Sequence, residues 1–187
     1  MALIAKNSGG SFEPIPTGIH QAVCYAVYDI GNHRGEYQGK TVTRHQIVVC
    51  WELDCAMQDG RPFGMSKFYT LSLHEKATLR KDLESWRGKK FTPEELDGFD
   101  VEKLIGVNCT LNIIDEPKDD GSMRQKISAI MSKMPQAQNM TAVNPSGPAP
   151  AWIEKKRSES LEAQRQMGNE SNGNAESAHV NEENLQF

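Results

Sequence analysis

Long apolar runs are missing from this chain of 187 residues. Crossing a bilayer takes about 20 consecutive apolar residues, and no stretch comes near that, so no membrane partner is expected. The chain does not open with a basic region, an apolar core and a cleavage site, so the expected location is the cytoplasm. Aromatic residues make up only 7% and hydrophobic residues 37% of the chain. That share is low for a chain that packs throughout, so part of it is expected to lie outside any core. Catalytic signatures are missing too. There is no Walker loop, no G-x-S-x-G turn and no paired metal-ligand motif. Asp119-Asp120 and Glu94-Glu95 are adjacent pairs, but adjacency alone supplies no acid–base geometry. A protein that is not an enzyme and uses no cofactor is expected. Cys24, Cys50, Cys55 and Cys109 form no C-x-x-C pair, and the five histidines are scattered. Buried small hydrophobes fit these cysteines better than zinc ligands or disulfides, and no metal is expected.

Charge divides the chain. Residues 1–134 hold 17 Lys/Arg and 18 Asp/Glu, whereas residues 135–187 hold 4 and 7. No Lys or Arg follows Arg165, while Glu170, Glu176, Glu182 and Glu183 do. The net charge of −4 therefore describes the last third more than the body, and it leaves room for a nucleic-acid-binding body.

Most of what is present reads as strands. After a lead-in over 1–17, Gly18–Ile30 is rich in Val, Ile, Tyr and Ala. Its apolar residues fit no single alternation, as expected if both faces are covered or a bulge switches the face. Gly31–Gly39, with three glycines, reads as a loop. Lys40–Leu53, Phe63–Leu73, Val107–Ile114 and Met123–Met134 read as four further strands. Between the third and fourth, Ser72-x-x-Glu75 predicts a capping box. Leu79, Leu83 and Trp86 then recur on one helical face and Gly88 marks a stop. Thr92-Pro93-Glu94-Glu95 predicts a second helix start. Strand, strand, strand, helix, strand, strand is the connectivity of the OB-fold, a small five-stranded barrel. The expected fold is a mainly β, five-stranded OB-fold barrel over 18–134, with its helix between strands three and four. From residue 135 the composition turns to Gln, Asn, Ala, Ser, Gly and Pro. A flexible linker and a disordered acidic tail are expected over 135–187, with a short helix over 151–167.

An OB-fold raises the question of a basic, aromatic groove across strands two and three and their neighbouring loops. Arg34, Tyr37 and Lys40 fall in the first connection, Arg44 on strand two, and Lys67 and Tyr69 on strand three. Arg124 and Lys126 fall at the last hairpin. Cations neutralise phosphates, and aromatic faces stack on bases of any sequence at about 1–3 kcal/mol each. Arg87-Gly88-Lys89-Lys90 fits a phosphate contact and a helix C-terminus equally. The chain's last residues are acidic and then apolar: Glu182 and Glu183, then Leu185 and Phe187. Such a tip suits a basic-rimmed apolar pocket on a partner protein.

Thr70–Gly88, Phe91–Leu96 and Gly98–Asp100, with Trp51-Glu52-Leu53 and Leu104-Ile105-Gly106, resemble a family of bacteriophage proteins from replication and recombination modules. The likeness spans roughly Gly18 to Met134. It implies an OB-fold protein that binds single-stranded DNA during phage replication or recombination, in the cytoplasm of an infected bacterium. The tail is similar in logic to that of bacterial single-stranded DNA-binding proteins, whose acidic tip ending in Phe recruits replication and repair enzymes. It departs from them in having Glu182-Glu183 and Gln186 where theirs are Asp-rich with Pro before Phe. The expected partners are single-stranded DNA and, through the tip, replication or recombination proteins, with a second copy of the chain as a further candidate. The alternative is an OB-like module that binds a host or phage replication factor.

Overall fold

A computed structural model describes residues 13–143 and 148–179. Five strands form it: β1 Gly18–Tyr37, β2 Lys40–Ala56, β3 Pro62–Thr70, β4 Asn108–Pro117 and β5 Met123–Ser132. Helices α1 (Thr78–Arg87) and α2 (Pro93–Asp97) and a single 3₁₀ turn (Val101–Leu104) lie between β3 and β4, and α3 (Ala151–His179) follows β5. The strands pair antiparallel in one sheet, in the order β3-β2-β1-β4-β5. The expected mainly β chain and its element order are therefore present, but the expected barrel is not closed. Among the described residues β3 and β5 are the two edges. Between them is a cavity of about 1000 Å³ lined by Phe63 and Met65 of β3, Met123 and Gln125 of β5, and Glu13 and Ile15 of the lead-in. The Ile15 N–H donates to Gln125 Oε1 at 2.7 Å, and Gln125 Nε2 donates back to the Ile15 carbonyl. A side-chain amide thus gives Ile15 the two bonds that a neighbouring strand would give.

β1 is the strand on which everything else is hung, and it is bulged. Cys24 pairs with Trp51 but Ala26 pairs with Cys50, so Tyr25 is an extra residue. Because side chains alternate with period two, one extra residue turns all that follows to the other face. Ala22 and Cys24 therefore belong to the main core, with Trp51, Leu83, Trp86, Leu111 and Ile130. Ala26, Tyr28 and Ile30 belong to a second core, with Val48, Cys50 and Ile153. The irregular apolar pattern of this strand in the sequence has that bulge as its cause. Cys24, Cys50 and Cys109 are buried free thiols. Burial pushes the Cys24 thiol up to about 12 and the Cys50 thiol up to about 11.

Three expected features differ. Gly31–Gly39 is not a loop: β1 runs to Tyr37 and turns into β2 through Gln38 and Gly39, with φ of 52° and 73°. Positive φ at both central residues marks a hairpin turn whose twist matches that of its strands. The Ser72–Glu75 capping box does not form. Ser72 Oγ accepts from the His74 N–H at 3.2 Å, and α1 begins later, with Ala77 in the N-cap position and no side-chain cap. Ser72 closes a local turn that competes with the helix start. The Thr92–Glu95 box does form, as expected, and Leu79, Leu83 and Trp86 are the buried face of α1.

The chain after β5 is not a free linker over its described part. Asn108 holds Met140 by both of its amide atoms, at 3.0 Å to the carbonyl and 2.7 Å from the N–H. Gln21 Nε2 donates to the Gln138 carbonyl, and the Val143 N–H donates to the buried Glu52 carboxylate at 2.7 Å. That path leads to α3, which is longer than the expected 151–167 helix and packs on the outer face of β1. Its Ile153 is fully buried in the second core, Ser160 Oγ donates to the Asn32 carbonyl at 2.9 Å, and Arg157 Nε donates to the Asp29 carbonyl at 2.8 Å. Gly31 makes the approach possible: its φ is +80°, and a Cβ there would stand 2.5 Å from Ser160 Oγ. Gly31→Ala is predicted to undock α3 while leaving the sheet folded. Hydrogen exchange should then show lost protection over residues 151–165 with β1, β2 and β4 unchanged.

Candidate nucleic-acid interface

Strand register decides which β3 side chains can reach a ligand. Lys67 pairs with Val49 and Tyr69 with Ile47, both core residues, whereas Phe68 pairs with Val48 on the outer face. Lys67 and Tyr69 were expected to face a groove, and the structure turns both inward. Tyr69 is 4% exposed, and its hydroxyl donates to Asp82 Oδ2 at 2.8 Å. Lys67 Nζ reaches the same oxygen at 2.7 Å and stands 5.5 Å from the Tyr69 ring centre. Burial first, and the Asp82 carboxylate second, push the Tyr69 phenol far above its usual range, so it remains a neutral donor. This trio ties β3 to α1. It offers no ring for a base to stack on.

The ring that is offered is Phe68, which is 47% exposed. It meets Trp152 of α3 edge-to-face, with ring centres 6.3 Å apart, and Trp152 is itself 42% exposed. Phe68 lines a groove of about 520 Å³ with Arg44, Gln46, Thr70, His74 and Lys76. Arg44, His74 and Lys76 are exposed. The β2 strand brings Arg44 to the groove, and the turn built around Ser72 and His74 brings Lys76. Alternation along β2 places Lys40 on the same face as Arg44, farther out on the hairpin. Arg34 pairs with Thr43 and falls on the hairpin's other face, and Tyr37 pairs with Lys40 in the register at its tip.

Arg124 and Lys126 are not brought to this groove. Both lie on β5, at the far edge of the sheet from β3, and both bind Glu116 of β4. Lys126 Nζ is 2.6 Å from Glu116 Oε1 and Arg124 Nε is 2.7 Å from Oε2. The hydrogen bonds from Lys126 and then Arg124 hold the Glu116 carboxyl below its usual range. The two ends of β1 separate the clusters: its first residue pairs with β4, whereas Arg34 is 16 residues farther on. At about 3.3 Å per residue that is on the order of 50 Å of strand. In the Arg87–Lys90 cluster, Arg87 is structural, bound to Glu95 and stacked over Phe91 at 4.4 Å. Gly88 ends α1 with φ of 68°. Glu182, Glu183, Leu185 and Phe187 lie outside the described residues.

Sequence reasoning missed Phe68 and Trp152 as a pair. Phe68 carried a signal, since strand alternation must put either it or Tyr69 outside, but the choice depends on Asp82, which no motif marks. Trp152 carried one as the only large aromatic of its segment. No protein-family model matches the chain, and no curated protein does. Asp82→Ala is predicted to destabilise the fold by about 1–3 kcal/mol, because it strands a half-buried ammonium and a buried hydroxyl. Phe68→Ala should cost about 1 kcal/mol or less, as only a ring edge contact is lost. Urea unfolding of the two variants against wild type checks the contrast.

Proposed function

We propose that the protein binds single-stranded DNA without sequence preference and without catalysing a reaction, in phage replication or recombination. The observation that carries this is the exposed Phe68 ring set in one groove with Arg44, His74 and Lys76. A stacking platform beside cations is the chemistry that single strands need and duplexes cannot use, because duplex bases are already stacked. Trp152 supplies a second ring across the groove. We read the sheet as an OB-type barrel left open between β3 and β5, since its strand connectivity and its helix position are those of that fold. The site then falls on strands two and three, where such barrels bind oligonucleotides. The acidic tip with Glu182, Glu183, Leu185 and Phe187 would recruit replication or recombination proteins, in the cytoplasm of the infected host.

The second reading, an interaction module for a replication factor, draws on one observation: the outer face of β1 and β2 already holds an α-helix, α3. Tryptophan fluorescence titration with oligo(dT) and with duplex of equal length separates the two. Binding should favour the single strand and weaken steeply with salt. Phe68→Ala should weaken it about tenfold or more, and Lys76→Ala should flatten the salt slope by about one unit. Equal affinity for the duplex, or no binding at low salt, would overturn the proposal. Capture of a replication protein that persists after nuclease treatment would then select the second reading.

A further inference from the structure

Three potential metal ligands from distant parts of the sequence converge where β1 begins and β2 ends. His20 Nδ1 is 3.2 Å from Asp54 Oδ1 and 3.6 Å from Cys55 Sγ, and the three ligand atoms lie within 4.8 Å of one another. Continuing the β1–β2 register from Ala22 and Leu53 sets His20 opposite Cys55. His20 is 9% exposed, and its other nitrogen, Nε2, is 2.7 Å from the Pro16 carbonyl oxygen. A carbonyl can only accept, so Nε2 carries a proton and Nδ1 points its remaining valence at the carboxylate and the sulfur. Asp54 is fixed as well, because its Oδ2 accepts from the Gln21 N–H at 3.1 Å.

We propose that His20, Asp54 and Cys55 form a zinc-type metal site. Three electron-rich atoms facing one another need a cation between them, and either a proton on Nδ1 or a metal ion can fill that role. The spacing fits the metal. Bond lengths of about 2.0–2.1 Å to nitrogen and oxygen and 2.3 Å to sulfur give tetrahedral edges of about 3.3 Å for N–O and 3.6 Å for N–S. The surroundings fit too: a ligating histidine that donates its other N–H to a backbone carbonyl is the usual outer-shell arrangement, and here Pro16 provides it. A mixed nitrogen, oxygen and sulfur set selects zinc or a similar transition metal over calcium and magnesium, which take oxygen ligands. Binding releases the Cys55 thiol proton to solvent as the thiolate forms. Three protein ligands leave the fourth position to water, on the side where the Asp54 side chain is 44% exposed. The ion would cross-link β1 to β2 and, through His20 and Pro16, anchor the lead-in that crosses the opening of the sheet.

The test is independent of DNA binding. Full-length protein dialysed against a chelator is titrated with cobalt(II), then with zinc(II). Uptake of one equivalent is expected, with a thiolate-to-cobalt charge-transfer band, release of one proton and a higher melting temperature, and zinc should abolish the band. Cys55→Ser should remove the band, and Asp54→Asn should weaken uptake about 10–100-fold. Asp54→Asn changes an exposed side chain, so it keeps the test decisive if Cys55→Ser does not fold. No uptake by the wild-type chain would overturn the site and leave a protonated His20 paired with Asp54. Uptake that neither substitution weakens would also overturn it.

Discussion

One inserted residue in β1 governs the architecture. Tyr25 has no partner in β2, and from that point the strand presents its apolar residues to the opposite face. A regular strand of this length would bury one side and leave the other to water. The bulged strand buries Ala22 and Cys24 beneath α1 and then Ala26, Tyr28 and Ile30 beneath α3. Its second half would be an exposed apolar surface without α3, so the C-terminal helix is a layer of the fold. The path to it is held accordingly, by Gln21, Asn108 and Glu52. Those three polar side chains would otherwise be half-buried without partners, and the chain after β5 satisfies them with backbone groups.

The same parity argument fixes what the sheet can offer a ligand. Asp82 draws Tyr69 and Lys67 toward α1, and that choice turns Phe68 outward. With β1 and β2 covered by α3, the outer surface left open on this side is the strip along β3, bounded by the Ser72–Thr78 turn and by Trp152. The cations there are few, in keeping with a body whose charges nearly cancel. The proposed affinity for single strands therefore leans on ring stacking more than on charge density, and the groove is matched to bases more than to a bare phosphate backbone.

Much of this was legible in the sequence because it rests on local periodicity. The five strands, the Leu79/Leu83/Trp86 face and the Thr92 cap follow from neighbours a few residues apart. What escaped depends on contacts across the chain. Nothing near Tyr69 says that Asp82 waits 13 residues later to take its hydroxyl. The Ser72 motif was present but closed a turn instead. Residues 135–143 have the composition of a linker and are pinned by side chains some 90 to 120 residues away, a distance no pattern within the segment reports. Arg124 and Lys126 look like Arg44 in sequence, and only the sheet order puts them at the opposite edge, bound to Glu116. His20, Asp54 and Cys55 match no metal motif because the register, not the spacing, unites them.

The account stands or falls on where a single strand touches the protein. Ultraviolet cross-linking of oligo(dT), followed by peptide mapping, locates that contact directly. Adducts on the peptides that carry Phe68 and Trp152 are the predicted result. Adducts confined to β5 around Arg124 and Lys126, or none on either aromatic-bearing peptide, would contradict it.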